Sequence, residues 1–196
     1  MRIAVTGGIG VGKSEVMKII SSLGYKVASA DEINARLLLR ADYIEKIQTA
    51  FPSAVVDGKI NKDILRKIIF NDYDKRQLLN SIAHPIIFSE IKRAGLDLFV
   101  EVPLLFESGM QTMFDKIIVI TAPYDIRVSR LFDRSGIDKI LAHKMIMSQL
   151  SDGEREKYAD YIIENKASYD ELYRRVREML IKIEADTGIT PIHIEN

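Results

Sequence analysis

Five short apolar runs, rich in Val and Ile, punctuate a chain of 196 residues. They are RIAVT at 2–6, YKVAS at 25–29, LFVEV at 98–102, KIIVIT at 116–121 and DYIIE at 160–164. Their hydrophobicity is near-continuous rather than alternating, which predicts strands of a parallel sheet covered on both faces. After the first run, Val16, Ile19, Ile20 and Leu23 recur at helical spacing, and Gly24 suits a helix stop. Between the second and third runs, residues 32–96 have little strand character. INARLLL, YIEKIQTAF, KDILRKIIF and DKRQLLNSIA read as helices there, with PSAVVDGK at 52–59 as a turn-rich interruption. Their summed length exceeds one crossover, which predicts a helical subdomain inserted in the sheet. Pro85 reads as a helix break or start. A polar helical stretch spans 124–158, a last helix runs from about 168 to 185, and TGITPIHIEN reads as a short tail. No repeat or low-complexity segment interrupts this order.

Hydrophobic residues make up 47% of the chain and charged residues 29%, so one folded domain, or one core with an insertion, is expected rather than disorder. Net charge is zero, which argues against a dedicated nucleic-acid binder or a membrane-surface protein. The absence of cysteine removes disulfides, thiolate metal sites and cysteine nucleophiles. No apolar run approaches the roughly 20 residues that span a bilayer. The first strand begins at once, leaving no room for a signal peptide, so the expected compartment is the cytoplasm. Oligomeric state is not legible; a monomer or weak homo-oligomer is expected.

The chemistry enters between the first strand and the first helix. GGIGVGKSE, at 7–15, holds Gly7, Gly12, Lys13 and Ser14 in the spacing G-x-x-x-x-G-K-[ST]. Glycines at Gly7, Gly8, Gly10 and Gly12 allow close approach of backbone to ligand. The N–H groups of this loop, including that of Val11, then point at phosphate oxygens beside the positive end of a helix. Lys13 reaches the outer phosphates of a nucleoside triphosphate, and the Ser14 hydroxyl suits Mg²⁺. Glu15 stands where Thr or Ser is usual and is expected to point away from the phosphates. The pattern predicts an α/β fold of three layers of the P-loop NTPase type, with a five-stranded parallel sheet, a helical acceptor-binding insertion and a lid. The nucleotide-binding core would be 1–31, 97–122 and 159–186, the acceptor subdomain 32–96, the lid 123–158 and the tail 187–196.

A P-loop does not name its reaction. A GTPase would need N-K-x-D after a late strand, but NKAS at 165–168 puts Ser168 where the guanine-reading Asp belongs. DRSG at 133–136 follows a polar helix rather than a strand end, so neither motif supports a GTPase. Arg130 and Arg134, four apart on one face, suit a lid that brings positive charge over transferring oxygens; a solvated helix face is the alternative. Asp31 follows the second strand, where sites form in parallel sheets. It is either a base for an acceptor hydroxyl or the first-turn acid of a capping box made by Ser29 and Glu32. Glu101 either touches the magnesium shell through water or pairs with a buried partner. His84, His143 and His193 lack metal-ligand spacing. Met145 and Met147 read as packing residues.

Seven segments in order resemble the dephospho-coenzyme A kinase family over about residues 1–180. They are TGGIGVGKS, ADEINARLL, LLNSIAHPIIFSEI, VEVPLLFESG, SRLFDR, SQLS and ADYIIEN. AHPII followed by VPLLFE is more specific than the P-loop, which many kinases share. The resemblance implies ATP- and Mg²⁺-dependent phosphorylation of the 3′-hydroxyl of dephospho-CoA, the last step of coenzyme A synthesis. It implies that Asp31 is the catalytic base, matching the second aspartate of a D-A-D pattern. It further implies that Lys13 and Ser14 serve phosphate and magnesium, and that Arg134, with Arg130 one turn earlier, reaches toward ATP. His84, Pro103, Leu104 and Glu107 fall in segments around the acceptor, and Asn165 falls where the last strand meets the adenine. Ser29, Glu15 and Arg127 depart from the family pattern, which commonly has Asp, Thr or Ser, and glutamine at or near those places. The competing readings are another small-molecule or nucleoside monophosphate kinase, and a nucleotide-binding switch without transfer.

Overall fold

The computed structural model describes residues 1–70, 72–166 and 168–192. The chain divides into two compact units, one of residues 1–28 with 95–196 and one of residues 29–94.

The first unit is built on a five-stranded parallel sheet. Its strands are β1 (Arg2–Gly7), β2 (Lys26–Ser29), β5 (Leu98–Glu101), β6 (Lys116–Thr121) and β7 (Tyr161–Glu164), in the order β2-β5-β1-β6-β7. The five apolar runs thus form the five strands. β1 is central: Ala4 sits in register with Val100 on one side and with Ile117 on the other. The segment leaving the carboxyl end of β1 therefore opens where the strand order reverses, the place at which parallel sheets hold ligands. Helices α1 (Lys13–Ser22) and α9 (Tyr169–Thr187) pack together. Ile19, Ile20, Val176 and Ile183 join Ile3, Val5, Phe99, Ile118 and Ile120 in one buried cluster. Each such side chain, once buried, contributes about 1.5–3 kcal/mol of hydrophobic stabilisation.

Residues 124–158 form three helices where the sequence reads one stretch: α6 (Tyr124–Ser135), α7 (Lys139–Met147) and α8 (Asp152–Glu156). Left-handed Gly136 ends α6, and the side chains of Asp138 and Ser151 accept from Leu141 N–H and Glu154 N–H to start the next two. Val128, Leu131, Ala142 and Ile146 make a second, smaller core between α6 and α7, and Ile9 packs against it. Beyond α9, Ile189 is buried in the main cluster and Ile192 N–H donates to the Gly24 carbonyl at 2.7 Å. The end of the predicted tail, 193–196 with His193, lies outside the described residues.

The second unit holds α2 (Ala30–Leu37), α3 (Ala41–Ala50), α4 (Lys62–Phe70) and α5 (Tyr73–Arg93). The turn-rich interruption is a small antiparallel hairpin of β3 (Val55–Val56) and β4 (Lys59–Ile60). Asp57 and Gly58 both take positive φ at its tip, as a two-residue hairpin turn requires. The expected break at Pro85 does not occur: α5 runs through it for 21 residues. The ring removes one hydrogen-bond donor, yet Ala83, Ile87 and Ile91 are buried at four-residue spacing on both sides of it. That burial holds the helix across the missing bond.

Candidate active site

The loop between β1 and α1 is held from its outer side. The Ile9 N–H donates to Gln149 Oε1 at 2.7 Å, and the Ile9 carbonyl accepts from Arg127 Nε at 2.8 Å. Arg130 Nη1 donates to the Gly10 and Val11 carbonyls at 3.3 and 3.1 Å. Val11 also accepts from Asn165 Nδ2 at 2.8 Å. The carbonyls of Ile9, Gly10 and Val11 are therefore all occupied by side-chain donors. In a trans peptide the C=O and the following N–H point in opposite directions within one plane, so fixing the oxygen outward turns that N–H inward. Anchoring the oxygens in this way favours the inward-facing amides that an anion needs.

Each anchor has a local origin. Arg127 and Arg130 are three apart on α6 and so share a face. Asn165 directly follows β7, is 3% exposed, and is fixed by its own N–H to the Thr121 carbonyl at 2.8 Å. Gly12, at φ 90°, starts α1 in a left-handed conformation, and a Cβ there would lie 2.4 Å from Asn165 Nδ2. Only glycine meets both demands. Burial pushes the Arg127 and Arg130 guanidinium groups below the usual arginine range, with neighbouring Arg155 adding to the effect at Arg127 and Asp152 opposing it. Arginine's ordinary value is so high that both stay charged at neutral pH.

On the inner side, Lys13 Nζ donates to the Gly7 and Gly8 carbonyls at 2.9 Å each. Ser14 Oγ donates to Glu101 Oε1 at 3.4 Å, bringing the hydroxyl of α1 to the carboxylate ending β5. Both are hard oxygen donors of the kind Mg²⁺ takes alongside phosphate oxygens, so the pair fits that ion. No cluster of three or more His, Cys, Asp or Glu ligands occurs among the described residues. A metal here would need the nucleotide's own oxygens. Glu15 is half-buried and pairs with Lys18 at 3.4 Å along the helix surface.

The remaining predicted residues are distributed as follows. Arg134 is exposed in the last turn of α6. Pro103 is half-buried and Leu104 exposed in the turns after β5. Glu107, in the same turns, accepts from Arg155 Nη2 at 2.8 Å and from Leu150 N–H at 3.4 Å. Asp31 is exposed in the first turn of α2, where Ser29 Oγ accepts from Glu32 N–H at 3.3 Å. Ser29 is thus the helix cap expected from the capping box. His84 is half-buried in α5, and burial lowers its pKa, favouring the neutral imidazole. Asp31 and His84 belong to the second unit, whereas the loop, Glu101, Glu107 and Asn165 belong to the first.

Sequence reasoning gave no individual role to Gln149, Asp152 or Arg155, and singled out Arg127 only as a departure from the family pattern. The polar island SQLSD, between two helices, was the one available signal for the first two. A cavity of about 690 Å³ between α6 and α7 is lined by Asp125, Ser129 and Phe132 among others. Those positions lie on the face of α6 opposite Arg127 and Arg130, so the cavity is separate from the phosphate loop.

Comparison with known proteins fits this geometry. The family model for dephospho-CoA kinase (CoaE) matches residues 1–171. A dephospho-CoA kinase of Fusobacterium nucleatum is 38% identical over 183 residues, covering 90% of this chain and 95% of its own. The crystal structure of TT1252 from Thermus thermophilus superposes with a TM-score of 0.79 at 31% identity, covering 93% of this chain and 97% of its own. Dephospho-CoA kinase from Campylobacter jejuni gives 0.67 at 29% identity, covering 94% and 98%. A braced phosphate loop at the switch point of a parallel sheet is what many nucleotide enzymes share, but a family match running from the first strand into the last helix is selective. This chain belongs to the dephospho-CoA kinase family.

Proposed function

We propose that this protein transfers the γ-phosphoryl group of ATP to the 3′-hydroxyl of dephospho-CoA, giving CoA and ADP. The observation that supports it most is the family match over residues 1–171, which includes the phosphate loop and every segment of the acceptor pattern. The loop amides and Lys13 bind the phosphates and orient the γ-phosphorus for in-line attack. Asp31 orients the acceptor hydroxyl and takes its proton as the new P–O bond forms. Arg134 brings positive charge to the oxygens on which charge accumulates, and residues 123–158 act as the lid that carries it. Asn165 borders the adenine. His84, Pro103, Leu104 and Glu107 shape the acceptor side. Ser14 and Glu101 would hold Mg²⁺, which when bound neutralises charge on the β- and γ-oxygens. The cytoplasm is the proposed compartment, where both substrates are small and soluble.

The test is product analysis. Purified protein is incubated with ATP and Mg²⁺ plus dephospho-CoA, AMP or a simple sugar alcohol, and new phosphomonoesters are identified by mass. CoA formation with dephospho-CoA is the expected result. Product from AMP alone would replace this reading with a nucleoside monophosphate kinase. ATP binding with no phosphorylated product would make the protein a nucleotide switch.

A further inference from the structure

Four charged side chains of alternating sign form an unbroken chain from the turns after β5 to the phosphate loop. Glu107 Oε1 accepts from Arg155 Nη2 at 2.8 Å, and Arg155 Nη1 donates to Asp152 Oδ1 at 3.3 Å. Asp152 Oδ2 accepts from Arg127 Nη1 at 3.2 Å, and Arg127 Nε donates to the Ile9 carbonyl at 2.8 Å. The two arginine side chains are only 1% and 7% exposed, whereas Glu107 and Asp152 are 27% and 24% exposed. The guanidinium of Arg127 also packs closely against the loop: a Cβ on Gly8 would fall 2.4 Å from its Nη2. Each arginine has one buried nitrogen, Arg127 Nη2 and Arg155 Nε, without a hydrogen-bond partner among the described residues.

Buried charges of this kind are not interchangeable with surface pairs. Removing one partner leaves its neighbour uncompensated in a place water does not reach freely. The neighbour then has to move or draw in solvent, and here movement passes along a short sequence of contacts. If Glu107 loses its charge, Arg155 turns more fully to Asp152. Asp152 is then shared less with Arg127, and Arg127 is the donor that fixes the Ile9 peptide.

Resting on the proposed kinase activity, we infer that Glu107, Arg155, Asp152 and Arg127 act as a positioning relay. Through it, a carboxylate in the acceptor-side segment sets the shape of the phosphate loop and hence the affinity for ATP. Glu107 is then more than an acceptor contact: its effect on ATP is exerted without any acceptor being bound.

The experiment measures ATP affinity by titration calorimetry with Mg²⁺ and no acceptor, in wild type, Glu107→Gln, Asp152→Asn and the double variant, with a melting curve for each. The expected result is about a tenfold loss of ATP affinity in each single variant, within the range of coupling through such networks. The double variant should lose little more than either single one, because both break one chain. Unchanged ATP affinity in Glu107→Gln, with a raised KM for dephospho-CoA only, would make Glu107 a simple acceptor contact and overturn the relay. Losses that multiply in the double variant would also overturn it. If both single variants fail to fold, the four residues are a structural brace and the inference fails. If wild type itself does not bind ATP, the kinase reading falls first, and the relay falls with it.

Discussion

Arg130 Nη2 donates to Asn165 Oδ1 at 3.0 Å, while both side chains converge on the carbonyl oxygen of Val11. One residue comes from a helix and the other from the end of an edge strand, so the loop is gripped by two elements at once. Arg130→Ala removes two carbonyl contacts and leaves Asn165 with one side unanchored. Loss of a charged donor of this kind costs about 2 kcal/mol, so ATP affinity should fall about thirtyfold. Arg130→Lys keeps the charge but cannot span three acceptors, and should recover only part of the loss. Calorimetric ATP titration checks both. An Arg130→Ala variant that binds ATP normally but transfers slowly would place the arginine over the transferring group instead.

Asp31 carries the proton in the proposed mechanism and sits in the first turn of α2. Asp31→Asn preserves shape and the first-turn position in α2. Turnover should fall by at least about a hundredfold, the lower range for loss of a general base, with ATP affinity unchanged. Steady-state rates with dephospho-CoA and ATP titration together measure this. A variant at the wild-type rate would leave Asp31 as a helix-start residue only.

The hydroxyl–carboxylate contact between Ser14 and Glu101 predicts a metal phenotype. Chelation of Mg²⁺ should abolish transfer, and re-addition should restore it. Ser14→Ala and Glu101→Gln should each raise the Mg²⁺ concentration for half-maximal rate by about tenfold or more, as loss of groups around a metal commonly does. Mg²⁺ titration at saturating ATP reads the shift directly. Curves that overlay wild type would remove both groups from the metal's surroundings.

Much of the fold was legible because strands of a parallel sheet leave near-continuous Val/Ile runs, and all five runs became strands. Only the central β5, β1 and β6 are buried along most of their length, while the edge strands β2 and β7 are not. The loop was legible because glycines and a lysine must be near one another in sequence to form it. Its outer anchors were not, since Arg127 and Arg130 stand 118 to 120 residues from the carbonyls they hold. A charge-rich helix gives no sign of which arginines face inward; only the tertiary partner decides. Pro85 misled for the opposite reason. A local rule predicts a break, and burial of Ala83, Ile87 and Ile91 overrides it.

The last helix supplies a pH prediction. Tyr161 donates to Asp186 Oδ2 at 2.7 Å, linking β7 to the end of α9. Burial, then this hydrogen bond, pushes the phenol up to about 12 from an ordinary value of 10.0. The folded state therefore holds the proton more tightly than the unfolded chain. This contribution is complete below pH about 10 and is lost as pH rises toward about 12. Over that interval the melting temperature of wild type should drop more steeply than that of Tyr161→Phe. Parallel curves for the two proteins would show that the tyrosine pair adds nothing to alkaline stability.

The braces on the phosphate loop also bear on how the protein is born. Ile9 leaves the ribosome 118 residues ahead of Arg127, and Val11 leaves 154 residues ahead of Asn165. At about 5–20 residues per second, the nascent loop waits on the order of 10 s for its first clamp. A growing chain therefore carries the glycine-lysine motif long before it carries the side chains that brace it, and a firm hold on nucleotide waits for those distant residues.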